Sequence, residues 1–197
     1  MANYTVLSEV GESILGVLWE EMKTDVSVNK VIASEDQLSL ASPGDLENND
    51  TVRLSVYLYR IVEDPYSKNR PPIRDDRGFL EKPPLTLDLY YLVTPLLGLP
   101  RDQQIVLGKT MQVLYDHSTL EATDLVGSLK ASGEPVRVIL NPVSLEELTR
   151  VWQALEMSYR LSVCYVVRVA VMSSTQQETF TPVVETEANF AARESST

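Results

Sequence analysis

Two runs of alternating apolar and polar residues, joined by a loop of proline and charge, constrain this chain more than any other feature. Val52, Leu54, Val56 and Leu58 alternate with Arg53, Ser55, Tyr57 and Tyr59. Leu85, Leu87, Leu89, Tyr91 and Val93 alternate with Thr86, Asp88, Tyr90 and Leu92. Successive strand side chains point to opposite faces, so a period of two reads as a pair of half-buried strands. The loop between them, 63–84, holds five of the eleven prolines, with five basic and five acidic side chains. A structureless connection of that length is uncommon inside a compact domain and is usually functional or disordered. Ordering each residue costs about 1–2 kcal/mol of backbone entropy. An ordered loop therefore leans on a partner, which points to binding or assembly; the other reading is a surface excursion.

At 197 residues the chain suits one domain with a sizeable core and a tail. Its net charge of −11 argues against the basic face that nucleic-acid binding needs and against electrostatic attachment to anionic lipid. The N-terminus has no basic leader, and Glu9, Glu12, Glu20 and Glu21 interrupt the apolar positions after it, so no signal peptide is expected. No stretch is apolar enough to span a bilayer, and cytoplasmic synthesis and assembly follow as the expectation. Cys164 is the single cysteine. It admits no internal disulfide and no cysteine-built zinc site, and in a strand-like run it reads as a buried, inert thiol.

Along the chain, 4–22 reads as an amphipathic helix through Leu7, Val10, Ile14, Leu18 and Met22, with Gly11 and Gly16 either weakening it or permitting close packing. Residues 25–33 read as a strand, and a polar stretch precedes the two alternating runs. Pro100 and Asp102 suit a helix start, with Leu107, Met111, Leu114 and Tyr115 as its apolar stripe. A less regular stretch runs to Gly133, and 135–140 reads as a short strand. Ser144-Leu-Glu-Glu147 has the capping-box pattern, and Leu145, Leu148, Trp152 and Leu155 form the buried face that follows. Residues 160–172 give the strongest strand. Thr179 to Val184 suggests one more, confined to a sheet edge by Pro182. The fold class is α+β, a mixed, largely antiparallel sheet flanked by helices. The division is a domain over 1–172 and a tail over 173–197 with a possible edge strand at 179–184.

A catalytic set is hard to assemble from these residues. His117 is the only histidine; it follows a helix, where a capping or surface role fits. Gly108-Lys109-Thr110 imitates the end of a phosphate-binding loop, but Gln103 stands where the loop needs glycine, and Lys109 falls within a helix. The pairs Glu20-Glu21, Asp75-Asp76 and Glu146-Glu147 read as solvated or helix-start charge. No cofactor, no metal and no enzymatic activity are expected.

Five segments together resemble a known family. Leu58-Tyr-Arg-Ile-Val-Glu-Asp-Pro65 with Asn69-Arg-Pro-Pro72 resembles its strand-and-loop signature, and Pro83-Pro-Leu-Thr-Leu-Asp-Leu-Tyr-Tyr-Leu-Val-Thr-Pro95 its second strand. Leu107-Gly-Lys-Thr-Met-Gln-Val-Leu-Tyr-Asp116 resembles the helix after it. Ser144-Leu-Glu-Glu-Leu-Thr-Arg-Val-Trp152 with Tyr159-Arg-Leu-Ser-Val-Cys-Tyr165 resembles the closing helix and strand. The family is the cap, or tube-terminator, proteins of extracellular contractile injection systems, and the likeness covers roughly 4–185, their N-terminal domain. It implies a fold like contractile-phage tail terminators. It also implies a structural protein, as a homohexameric ring, that ends the inner tube and sheath at the baseplate-distal end. The partners implied are further copies of the chain, the tube protein and the sheath protein, within a phage-tail-like particle that is released or membrane-anchored. A transient assembly factor that binds tail components and leaves is the alternative. Many family members carry a substantial further C-terminal region, whereas 25 residues follow Met172 here.

For assembly contacts the expected anchors are Arg60, Tyr66, Arg70, Arg74 and Phe79 around the long loop, and Phe180 and Val183 in the tail. Arg and aromatic residues dominate interface hot spots, and prolines reduce the ordering cost of a loop. The competing reading pairs Arg60 and Arg70 with local acids such as Glu63 and Asp64. For the tail, the expectation is strand exchange with the sheath, against completion of the chain's own sheet.

Overall fold

The first helix, α1 (Val6–Met22), forms where the apolar spacing predicts, burying Val6, Val10, Ile14, Val17, Leu18 and Met22. The computed structural model describes residues 4–65, 73–74, 79–81, 84–172 and 177–179. Gly11 permits close packing: a Cβ there would stand 2.7 Å from the side chain of Leu40. Residues 25–33, expected as a strand, form turns instead. The Asp25 carboxylate accepts the N–H groups of Ser27 at 2.9 Å and Val28 at 3.2 Å, and Asn29 N–H donates to the Asp25 carbonyl. A short acidic side chain that captures the next amides closes a turn before a ladder can form. Val28 and Ile32 are then buried about one helical turn apart.

A single 3₁₀ turn (Glu35–Gln37) leads to β1 (Leu38–Ser39) and the long β2 (Leu54–Glu63). Then come β3 (Ile73–Arg74), β4 (Phe79–Glu81), β5 (Leu85–Pro95), α2 (Pro100–Asp116), β6 (Thr119–Leu120), α3 (Gly127–Ser132), β7 (Val136–Asn141), α4 (Leu145–Ala154), β8 (Val163–Met172) and β9 (Gln177–Thr179). The main sheet has the order β1-β2-β5-β8-β7-β6. Among the described residues only the β1–β2 pair of this sheet is parallel, so the sheet is mixed and largely antiparallel, as expected. The stretch before Gly133, read as irregular, contains β6 and α3.

The long loop is a further correction. It carries a hairpin, β3 against β4, and β4 pairs in turn with β9. These three strands form a second sheet, in the order β3-β4-β9. The chain's own C-terminal strand supplies the ladder partner. That strand begins two residues before the expected 179–184, and 180–184 lies outside the described residues.

The sheet has two different faces. On β5, Leu87, Leu89, Tyr91 and Val93 point into the main core with Val167 and Val169 of β8 and Val56 of β2, beneath α1 and α2. On the other face, α4 covers only part of the sheet, burying Leu92 and Cys164 against Leu148 and Trp152. Trp152 Nε1–H donates to Ser162 Oγ at 3.2 Å. β5 is thus covered on both sides where one wet face was expected. Two side chains placed in apolar stripes fall outside the core: Tyr115 at the end of α2 is 81% exposed and Leu145 in the first turn of α4 is 67% exposed.

Candidate assembly surface

The part of the outer sheet face that α4 leaves uncovered is built around a β-bulge. The β2–β5 register shifts between Leu58 and Arg60, so Tyr59 is the extra residue. A bulge sets two residues of one strand against one of its partner, and here Tyr59 and Arg60 both flank Tyr90. The Tyr59 and Tyr90 rings meet edge to face at 6.2 Å, and the Arg60 guanidinium lies 5.0 Å from the Tyr90 ring centre. Cation–π contact holds Arg60 extended over the sheet. Burial, acting most strongly, and the neighbouring Cys164 push the Tyr59 phenol well above its ordinary pKa.

Cross-strand pairing extends the surface. Tyr90 faces Val166 of β8, which faces Ile139 of β7; one step along, Asp88 faces Arg168, which faces Arg137. Arg168 donates to both Asp88 oxygens, Nε at 2.9 Å and an Nη at 3.3 Å. Asp88 is buried while Arg168, Arg137 and Ile139 are exposed. With Arg60 opposite Tyr90 and Val62 opposite Asp88 on β2, two rows of the sheet present three arginines, a tyrosine and three aliphatic side chains. A groove of about 440 Å³ adjoins them, between Tyr59, Arg60 and Tyr90 and the α4 residues Glu147, Arg150 and Val151. A second, apolar groove of about 540 Å³ lies at the β7 edge, lined by Met111, Tyr115, Leu140 and Tyr165.

Of the expected anchors, Arg60 stands on this face. Arg74 is on β3 opposite Leu80, and Phe79 is on β4 opposite Thr179. Tyr66, Arg70, Phe180 and Val183 lie outside the described residues. Sequence reasoning missed Arg137, Arg168 and Tyr90. Their alternation marked them as pointing away from the core, but their convergence depends on strand order.

The residues that imitate catalytic groups take structural places. His117 follows α2, its N–H donating to Val113 carbonyl, with Nε2 3.6 Å from Glu21. Gln103 to Thr110 lies within α2, and Lys109 Nζ stands 3.6 Å from Asp25. Burial raises the pKa of the Cys164 thiol, which disfavours the nucleophilic thiolate. Ser144 and Glu147 form the expected capping box, each side chain accepting the other's backbone N–H, at 3.2 and 2.9 Å. Among the described residues no three His, Cys, Asp or Glu side chains gather as a metal site, and no helix is long and apolar enough to cross a membrane.

Comparison with known proteins finds likeness in family and in fold. The profile of the family described as the Pvc16 N-terminal domain matches residues 9–186. The chain is similar to the sheath/tube terminator, in the extended state, of the extracellular contractile injection system PVC. The TM-score is 0.62 at 21% identity, over 99% of this chain and 67% of that one. It is also similar to the tube-terminating cap of the anti-feeding prophage, with a TM-score of 0.52 at 24% identity over 86% of this chain and 62% of that one. At those identities the likeness is one of fold. No curated protein sequence matches the chain.

Proposed function

Because the chain belongs to the Pvc16 N-terminal domain family, we propose that it is a structural cap. It ends the inner tube and sheath of a contractile injection particle at the end distal to the baseplate. The observation that carries this is a fold shared with a sheath/tube terminator over 99% of the chain. The role is not enzymatic. The His117, Lys109 and Cys164 contacts, each structural, support that reading.

In this proposal the chain acts as a ring, with six copies the expected number, assembled in the cytoplasm on the last tube ring. A terminator needs one surface that matches the tube and another that offers the next ring nothing to dock on. Ring symmetry lets individually weak contacts act together. The body, 1–172, meets the tube, and 173–197 contributes to sheath contact. The long loop with Arg70, Arg74 and Phe79 packs between copies or onto the tube.

The deciding experiment is electron microscopy of particles from cells lacking the protein, with protein composition of the wild-type particle. The cap reading expects tubes of irregular length, and one ring of this chain per wild-type particle. Normal, stable tubes in the deletion strain, or absence of the chain from purified particles, would overturn it; the latter result would mark an assembly factor. Replacing Arg70, Arg74 and Phe79 together by Ala is expected to leave thermal unfolding nearly unchanged while blocking assembly.

A further inference from the structure

We propose that the uncovered arginine-bearing sheet face docks the acidic outer surface of the helical layer of a second copy of this chain, head to tail. The inference starts from an uneven charge distribution. The chain carries 28 acidic against 17 basic side chains, yet Arg60, Arg137 and Arg168 share two adjacent rows of one sheet face. Arg168 is neutralised by Asp88. Arg137 is exposed and has no carboxylate within ion-pair distance among the described residues. Around these cations lie Tyr90, Val166 and Ile139, the last 47% exposed. Guanidinium groups beside aromatic and aliphatic surface match the composition of interface hot spots.

The complementary surface lies on the other side of the sheet. Alternation along β5 sends Leu89 and Tyr91 under α1 and sends Tyr90 and Asp88 the opposite way. The outward side of α1 lines a groove of about 390 Å³ with Gly16, Trp19, Glu20 and Glu21, closed by Glu35, His117 and Asp124. Four carboxylates border that groove. Lys23 pairs with Glu20 at 2.5 Å, and His117 lies near Glu21, which leaves the surface acidic. Among the described residues no heavy atom lies within 4 Å of a Cβ built on Gly16, so the helix surface is open there to an incoming side chain.

Opposite charges on opposite faces of one chain cannot satisfy each other within a molecule. Between two copies they form a heterologous contact, the kind that generates a ring when its rotation closes. Charge complementarity also fixes the register of such a contact and disfavours like-face pairing. The occupant of the arginine face is therefore the Glu20–Glu35 surface of another copy. The inference names the contact within the ring proposed above, and its test involves no tube or sheath.

The test uses the purified full chain, with association measured by sedimentation velocity over a range of concentration and salt. Wild-type self-association is expected to weaken as salt rises, because screened surface charges lose their attraction. Arg60→Glu with Arg137→Glu is expected to weaken it about tenfold in Kd, and Glu20→Lys with Glu35→Lys by a similar factor. Mixing the two variant chains is expected to restore an alternating heterodimer that neither forms alone. All four positions are on the surface, and circular dichroism checks that each variant is folded. A chain that stays monomeric at every concentration, association that survives both reversals, or failure of the mixture to associate overturns the proposal. A monomeric chain that nonetheless ends tubes in particles would sink this contact and leave the cap reading standing.

Discussion

The carboxylate of Glu9, in the first turn of α1, accepts the backbone N–H of Leu129 at 3.0 Å, 120 residues away. It also accepts the hydroxyls of Ser128 at 2.7 Å and Thr5 at 2.6 Å. α3 has no side-chain cap of its own, so a residue of α1 satisfies an amide that a local Ser or Asp would ordinarily serve. Ser13 adds a second stitch by accepting Val126 N–H at 3.1 Å. Removing Glu9 leaves a buried donor without its partner, and Glu9→Ala is expected to cost about 1–3 kcal/mol. Chemical unfolding at neutral pH measures it; an unchanged midpoint would show that the cap contributes nothing.

The same carboxylate makes stability depend on pH. Burial alone would raise its pKa, but the hydrogen bonds it accepts outweigh burial and hold the folded value below the ordinary glutamate range. Its contribution is therefore complete above the unfolded value of about 4.3. It is lost as pH falls through the lower folded value. Glu9→Gln removes that part of the acid limb. Denaturant midpoints of wild type and variant should converge as pH is lowered, and parallel curves down to pH 2 would refute the assignment.

Two glycines respond oppositely to alanine. Gly127 opens α3 with φ +57°, and a Cβ there would come within 2.5 Å of Glu9 Oε1. Gly127→Ala combines a disfavoured backbone conformation with displacement of the cap, and is expected to destabilise by more than about 2 kcal/mol. Gly108 lies inside α2 with nothing among the described residues within 4 Å of its missing Cβ. Gly108→Ala is expected to stabilise by about 1 kcal/mol. Thermal unfolding of both variants, side by side, gives the contrast, and a destabilised Gly108→Ala would contradict the open site.

Cys164 reports on the small core under α4. It is the chain's only cysteine, buried against Trp152, Leu148 and Leu92. The folded protein is expected to resist thiol reagents until it unfolds. Trp152→Ala removes the largest side chain of that core, is expected to cost about 3–5 kcal/mol, and should admit the reagent to Cys164 under native conditions. Rapid labelling of the wild-type thiol would show that α4 opens readily.

Truncation after Ser174 deletes β9 and leaves β4 without its outer partner, while the six-stranded sheet keeps every strand. The expected outcome is a folded core with cooperative unfolding and faster amide hydrogen exchange at Phe79–Glu81. Loss of cooperative unfolding would place β9 among the elements the core requires.

Local chemistry was legible in the residues themselves. The apolar spacing of α1 and α2, the Ser144–Glu147 box, the alternation of β2 and β5 and the sheet class were all readable. Each depends on neighbours within a turn or along one strand. Residues 25–33 read as a strand, and the amides that Asp25 captures turned them otherwise. Only the tertiary structure decided which distant segment meets which. It set Glu9 against Leu129, α4 over Leu92 and β9 beside β4, and brought Arg60, Arg137 and Arg168 onto one face. A periodic pattern states that a face is covered or wet. It carries no term for the partner, because contact between remote segments is fixed by strand order and by the free energy of packing the whole core at once.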